Sequence, residues 1–359
     1  MISQHFLILV INPGSTSTKI AVFEDDHPKM EKTIRHTGND FAGCASIFDQ
    51  KPIRIEYIDK VLAETDIDLG KLDAVVGRGG LVRPIDSGTY LVNDKMMADL
   101  IDSAAMIHAS SLGGLIAADI GKQYDVPAYV VDPVVVDEME TYARLSGFPG
   151  VERRSAFHAL NTKAVARRCA TDMGINYEDG RFVVAHMGGG ISVGAHRYGR
   201  VIDVNDAISG EGSFSPERCG AVPLEPVIEM CYSGRATRED MLGMVSKHGG
   251  MIAYLGTNDL IKVEKMIREG DEYAALVVDS MAYQVSKEIG AMVAALEGRV
   301  DAIILTGGLA YSIRFTGVIK QRVDRIAKVI TYPGENEMDA LAQGALRVLR
   351  KEQLISEYR

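Results

Sequence analysis

Residues 7–22, LILVINPGSTSTKIAV, constrain this chain more than any other stretch. Leu7 to Ile11 is a short, apolar, β-branched run, and Lys19 to Val22 resumes strand character, so the six residues Asn12 to Ser17 must form a tight turn between two strands. Hydroxyls such as those of Ser15 and Ser17, and the backbone N–H groups of a flexible turn at Gly14, suit phosphate oxygens, and Lys19 adds a point charge. An ordinary hairpin with a polar tip would read the same way. The balance changes at residues 181–204, RFVVAHMGGGISVGAHRYGRVIDV, where an apolar run from Phe182 to Ala185 leads through His186 into Gly188, Gly189 and Gly190. Two further β-like runs follow, Ile191 to Ala195 and Val201 to Val204, so the first architecture recurs. Three glycines without side chains let backbone approach a polyphosphate closely.

A third glycine turn, Gly307-Gly308, follows the apolar run Ala302 to Leu305, at a place where adenosine could lie on backbone. Two phosphate hairpins and one Gly-Gly turn in this order predict a split nucleotide cleft between two similar halves. Neither GxxxxGK[ST] nor a strand-linked GxGxxG occurs, which disfavours the Walker and Rossmann routes. Strand-like runs at 72–76 and 128–131 alternate with helical spacing at 53–63, 95–103, 112–124, 161–173, 273–296 and 339–350, so the fold class is α/β. A chain of 359 residues is long enough for two domains. The Gly and Pro of Ser146 to Gly150 mark the expected boundary.

The formal net charge of -10, with no basic run, excludes a nucleic-acid footprint, so anions must be captured by local cations. Cys44, Cys169, Cys219 and Cys231 lack CxxC spacing, which predicts reduced thiols and no zinc site. The run Phe6 to Ile11 is too short to span a bilayer and lacks a basic lead, so the expected setting is the cytoplasm, with no membrane partner.

Beyond INPGSTSTK, seven segments in order carry a resemblance: Val76-Gly77-Arg78-Gly79-Gly80, Val130-Val131-Asp132-Pro133, Ala156-Phe157-His158, His186-Met187-Gly188-Gly189-Gly190, Glu217-Arg218-Cys219-Gly220, Leu305-Thr306-Gly307-Gly308 and Asn336-Glu337. Along essentially its whole length the chain resembles the acetate and propionate kinase family, within the actin, sugar kinase and Hsp70 fold group, and is most similar to the butyrate kinase branch. The resemblance implies a duplicated, ribonuclease H-like, two-domain actin-like ATPase fold with the nucleotide cleft between domains. Residues 1–150 plus 338–359 would make the first domain and 151–337 the second, with the C-terminal helix crossing back. ATP or ADP and Mg²⁺ are the implied cofactors, a small carboxylic acid and its acyl phosphate the substrates, and a homo-oligomer, at least a dimer, the assembly.

Phosphoryl transfer needs a cationic cradle, a divalent metal on phosphate oxygens and a docking place for the acceptor. A carboxylate acceptor is already ionised and needs no general base, unlike a sugar hydroxyl. Arg78 and Arg218 are candidates for the cradle because guanidinium forks match phosphate and carboxylate oxygens; each also reads as a solvated loop arginine beside glycine, and Arg83 rivals Arg78. The family pattern implies that His158 hydrogen-bonds the transferring group, that Phe157 walls the acceptor pocket, and that Asp132 contacts magnesium-bound phosphate or the acceptor side. An Asp before Pro also simply starts a turn. Glu337 matches the family's metal-associated glutamate, with Asn12 beside the metal, although acidic residues at the start of a helix have a structural reason of their own. Asn12, Gly14, Ser15, Ser17 and Lys19 fall on the first phosphate hairpin; His186, Gly188, Gly189 and Gly190 on the second; Gly307 and Gly308 on the adenosine turn.

The acceptor side is implied by Ile107 and His108, which resemble a Leu-His pair lining the acetate kinase pocket, and by Ser209, which stands where acetate kinases carry a proline. Gly189 likewise replaces an asparagine usual in acetate kinases. A smaller Ser209 side chain leaves room for added methylenes, so the resemblance implies butyrate as acceptor, with isobutyrate, acetate and propionate as alternatives. A sugar kinase and a non-catalytic nucleotide switch share the expected cleft and remain rivals.

Overall fold

The computed structural model describes residues 5–102 and 109–359, so Ile107 and His108 lie outside the described residues. The chain divides into two compact units, Met1–Val136 joined by Asn336–Arg359, and Asp137–Glu335.

The first unit holds a six-stranded sheet, built from β1 (Leu7–Pro13), β2 (Ser17–Glu24), β3 (His27–Arg35), β4 (Leu72–Arg78), β5 (Thr89–Leu91) and β6 (Ala128–Val131), in the order β3-β2-β1-β4-β6-β5. β1, β2 and β3 form an antiparallel meander, whereas β4 and β6 run parallel to β1. Helices α1 (Gln50–Ala63), α2 (Asp94–Asp102) and α3 (Ser111–Tyr124) bury Ile58, Leu62, Leu100 and Ile116 with Leu9, Ile11 and Ile20 of the sheet. α1 starts earlier than the expected residue 53 because Pro52 sits in its first turn, where a missing N–H leaves nothing unsatisfied. Gly77 on β4 and Gly113 on α3 let helix and strand touch: a Cβ on Gly77 would stand 2.0 Å from the Gly113 carbonyl oxygen. Gly77 and Gly80, on either side of Arg78, thus serve packing against α3, and Gly79 makes room for Val130 and Pro133.

In the second unit a small hairpin, β7 (Leu145–Phe148) with β8 (Val151–Glu152), contains the stretch expected to mark the boundary. α4 (Ala159–Asp172) follows, then β9 (Arg181–Met187), β10 (Ile191–Arg197) and β11 (Arg200–Val204). Helices α5 (Leu224–Tyr232), α6 (Arg238–Ser246), α7 (Met251–Leu255), α8 (Leu260–Arg268) and α9 (Glu272–Ala295) lead to β12 (Ala302–Gly307), α10 (Ile313–Val323) and β13 (Lys328–Pro333). The five-stranded sheet runs β11-β10-β9-β12-β13, again an antiparallel meander beside two parallel strands. Its order repeats β3-β2-β1-β4, which is the duplication read from the two hairpins. On one face α9 lays down a buried stripe of Val277, Met281, Val285, Ile289 and Met292; on the other, α4 packs Val165 and Ala166 over Val184 and Ile304. The chain then returns to the first unit as α11 (Glu337–Leu349), whose Leu341, Ala342, Ala345 and Leu346 are buried. Among the described residues no helix is long and apolar enough to cross a membrane.

Candidate active site

In the first unit, parallel strands β1, β4 and β6 end side by side, and Asn12, Arg78 and Asp132 occupy those carboxyl ends, where open α/β sheets present ligand-binding groups. Glu337, in the first turn of α11, joins two of them. Asn12 Nδ2 donates to Glu337 Oε2 at 2.7 Å, and Arg78 Nη1 lies 2.7 Å from the same carboxylate. Both partners of the ion pair are partly shielded, Arg78 at 26% and Glu337 at 15% side-chain exposure. Arg83 is engaged elsewhere, with Asp99, the Tyr358 hydroxyl and the Arg359 carbonyl. Asp132 is buried at φ +38°, in the strained left-handed region, and its Oδ1 accepts from Ser87 Oγ at 2.6 Å and from the Gly88 N–H at 2.8 Å.

The first hairpin turn closes through the Gly14 N–H, which donates to the Ser17 carbonyl at 2.8 Å. Ser15 is exposed and Ser17 half-buried at its tip. Lys19 is exposed too, because alternation along β2 sends Thr18 and Ile20 inward and Lys19 outward.

The second unit gathers more of the expected residues. His158 caps α4 and stacks on His186, at the end of β9, with ring centroids 3.8 Å apart and 10° between planes. His158 Nδ1 lies 3.1 Å from Ser192 Oγ, while His186 Nδ1 lies 2.8 Å from Asn161 Oδ1. The Nε2 of His186 is 3.0 Å from Glu335 Oε1 but out of line for a hydrogen bond, so this buried atom has no aligned partner. Phe157 is buried beside them in sequence. Arg218 lies against the triple-glycine turn: a Cβ on Gly190 would fall 1.6 Å from its Nη1, so any side chain there must displace the guanidinium. Nη1 donates to the Ala207 carbonyl at 2.8 Å, and Nε is buried without a partner. Burial pushes the Arg218 pKa below that of a free guanidinium, opposed by Glu217 and Asp206.

Gly189 is exposed; its carbonyl accepts from Ser215 Oγ at 2.7 Å, and the space a side chain would enter faces the Glu217 carboxylate, itself held by Asn258 Nδ2 at 2.7 Å. Ser209 is exposed, its N–H donating to Asp206 Oδ1 at 3.0 Å and its Oγ accepting from Arg154 at 2.7 Å. Gly307 and Gly334 exchange backbone hydrogen bonds, leaving Gly308 exposed. Just beyond this turn a cleft of about 400 Å³ opens between Glu264, Ile267 and Arg268 on one side and Tyr311 to Arg314 on the other.

The acetokinase family model matches residues 147–326, half of the chain. This chain belongs to the acetokinase family. Its fold is similar to that of an acetate kinase from Porphyromonas gingivalis, with a TM-score of 0.79 at 20% identity over 96% of this chain and 100% of the other. A propionate kinase from Francisella tularensis matches at 0.73 and 19%, over 94% and 98%, and an acetate kinase from Entamoeba histolytica at 0.74 and 16%, over 94% and 98%. This acetokinase therefore has the mixed α/β, two-domain, actin-like architecture expected from its sequence.

Several residues in and around the candidate site escaped sequence reasoning. Asn161 and Ser192 fix the two histidines, and the Ala207 carbonyl fixes Arg218, contacts that no motif encodes. Arg54 also went unread, although a signal was present: it lies four residues before Ile58 and eight before Leu62, on the helix face those two bury.

Proposed function

We propose that this acetokinase phosphorylates a short-chain fatty acid, with butyrate as preferred acceptor: ATP + butyrate ⇌ ADP + butyryl phosphate. The observation that carries the reading is the buried Arg218 guanidinium packed against Gly190, its Nε without a hydrogen-bond partner, with the His186 ring beside Gly188 at the other end of the same turn. A buried guanidinium N–H left unsatisfied in protein is costly unless an acceptor, best an anion, completes it. A phosphoryl group in flight, with charge spread over its equatorial oxygens, is such an anion.

In this reading a carboxylate oxygen forms a bond to the γ-phosphorus as the bond to the bridging oxygen breaks, and the electron pair leaves with ADP. No proton moves. Arg218, His158 and His186 stabilise the transferring group, Arg78 steadies the approaching carboxylate, and Asp132 shapes the neighbouring loop through Ser87 and Gly88. Phe157 and Ser209 are assigned to the acceptor pocket. The exposed Gly308 and the cleft flanked by Tyr311 and Ile313 suit a nucleoside, while the β1–β2 turn, from Asn12 to Lys19, takes phosphate. Among the described residues no three His, Cys, Asp or Glu side chains are placed to cage a metal. That suits magnesium, which keeps waters and phosphate oxygens and asks for one carboxylate. Glu337, with Asn12 beside it, is the residue we assign to it, and the ion when bound neutralises phosphate charge.

Butyrate preference rests on Ser209 and Gly189, the two small residues that depart from the acetate kinase pattern. Each added methylene buried in a pocket is worth about 0.8 kcal/mol, so butyrate is expected to exceed acetate in kcat/KM by roughly tenfold or more. Steady-state kinetics with acetate, propionate, butyrate, isobutyrate and butanol test this. Butanol should be inert because it is not ionised; a preference for acetate would remove the butyrate assignment and leave the carboxylate kinase chemistry standing.

A further inference from the structure

Arg54 is the most anomalous charge in the first unit. It sits on α1 with no exposed surface, beneath the turn that joins β1 to β2. Nη1 donates to the Ser17 carbonyl at 3.1 Å and to Thr18 Oγ1 at 2.8 Å; Nη2 donates to the carbonyls of Gly14 at 3.0 Å and Ser15 at 3.4 Å. Gln50 Oε1 accepts from Nη2 at 2.9 Å and from Nε at 3.3 Å, and the guanidinium carbon lies 5.0 Å from the Phe41 ring centre. Every donor is therefore used, yet every acceptor is neutral, and no carboxylate pairs with Arg54 among the described residues. His36 shares Thr18 Oγ1 at 2.9 Å, but burial first and the Arg54 charge second push its pKa down, so it adds no charge of either sign near neutral pH.

A buried guanidinium ordinarily has a counter-ion, because removing one charge from water is expensive and neutral dipoles repay only part of that. Here the charge faces the turn from below. With the carbonyls of Gly14, Ser15 and Ser17 drawn down onto it, the exposed Ser15 and Thr16 form the outer surface of the turn, and no backbone hydrogen bond uses their N–H groups. A turn whose carbonyls point to a cation and whose N–H groups stay open makes an anion-binding concavity with a charged floor.

We propose that Arg54 is the electrostatic floor of the first phosphate-binding turn and that the phosphates of the nucleotide are its missing counter-ion. The proposal rests on the kinase reading above and adds to it a positioning residue that never touches the ligand. It also divides the work at this hairpin: Lys19 offers its charge from the exposed face of β2, whereas Arg54 acts from below through the backbone it holds.

The test compares wild type with Arg54→Met, which keeps packing volume and removes charge, and Arg54→Lys, which keeps charge and loses the fork. Equilibrium binding of MgATP and of adenosine is measured on protein shown to be folded by circular dichroism. Arg54→Met should weaken MgATP by roughly tenfold or more, the scale of one charge acting through a protein-like dielectric. Adenosine affinity should stay unchanged in both variants, and Arg54→Lys should keep most of the MgATP affinity. An unchanged ratio of MgATP to adenosine affinity in folded Arg54→Met would overturn the proposal. If that variant does not fold, ¹⁵N-arginine spectra of the wild type decide, with Arg54→Lys giving the assignment: the Arg54 Nε signal should shift with MgATP and not with adenosine, and a signal indifferent to both overturns the proposal. Failure of the wild type to bind MgATP at all would instead strike the kinase reading.

Discussion

Gly190 and Arg218 compete for one volume. The guanidinium occupies the place of the missing side chain, which is why it can lie against the triple-glycine turn with its Nε buried. Alanine at 190 must expel it, so Gly190→Ala should lower kcat by about 10²-fold or more, the usual cost of losing a preorganised charge in a transition state. Far-UV circular dichroism should stay native, and a fully active Gly190→Ala enzyme would remove Arg218 from the site. The residue types at this turn were legible in the sequence; their use was not. A glycine beside an arginine invites the idea of room for ligand, and at Gly190 that room holds the guanidinium, just as at Gly77 it holds the backbone of α3. Which neighbour fills the space left by a glycine depends on contacts between residues distant in sequence.

At the scale of elements, although α8 and α10, which bury Val263 and Phe315, were not among the expected helices, many strands and helices that bury an apolar face were readable, because alternation and helical spacing record burial directly. β1, β2, β9, β10, α4 and α9 are of this kind. β3 was not read: it is a charged strand at the sheet edge with Ile34 its one buried side chain, as suits an edge protected against further pairing. α5 and α6 bury no side chain, so they carry no stripe to detect, and α6 is announced only by its Thr237 to Asp240 capping box.

β10 also carries a titration. His196 is fully enclosed, its Nδ1 2.9 Å from the Tyr177 hydroxyl, and burial, with Lys163 and Arg167 adding to it, holds its pKa well below the ordinary 6.5. The unfolded chain therefore binds a proton more readily than the native one, and stability from this group is complete above pH 6.5 and declines as pH falls below it. His36 on the first unit acts in the same direction. Melting temperature should begin to fall between pH 7 and 5, before carboxylates titrate, and His196→Gln should flatten that decline at some expense in stability at neutral pH. An unchanged slope in the variant would place the acid sensitivity elsewhere.

At the scale of the molecule, each unit owns a sheet and a hydrophobic core, but only the second is continuous in sequence. Residues 137–335 expressed alone should fold with a single cooperative thermal transition. Removing residues 336–359 should leave that transition in place and abolish the one belonging to the first unit, since α11 supplies Leu341, Ala342 and Leu346 to its interior. Scanning calorimetry of the two shortened chains distinguishes these outcomes; loss of both transitions on removing 336–359 would contradict the independence of the second unit.

The return of α11 gives the first unit a schedule. Asn12 and Arg78 are translated early, while Glu337, which binds both, emerges only after the whole of the second unit. At ribosomal speeds of about 5–20 residues per second, the roughly 200 intervening residues impose a wait of about 10–40 s. During that wait Arg78 has no Glu337 and the first sheet lacks the helix that seals it. A message cut short anywhere within the second unit thus yields a chain with its β1–β2 turn made and the Glu337 carboxylate never delivered, so on the proposed reading incomplete copies are silent.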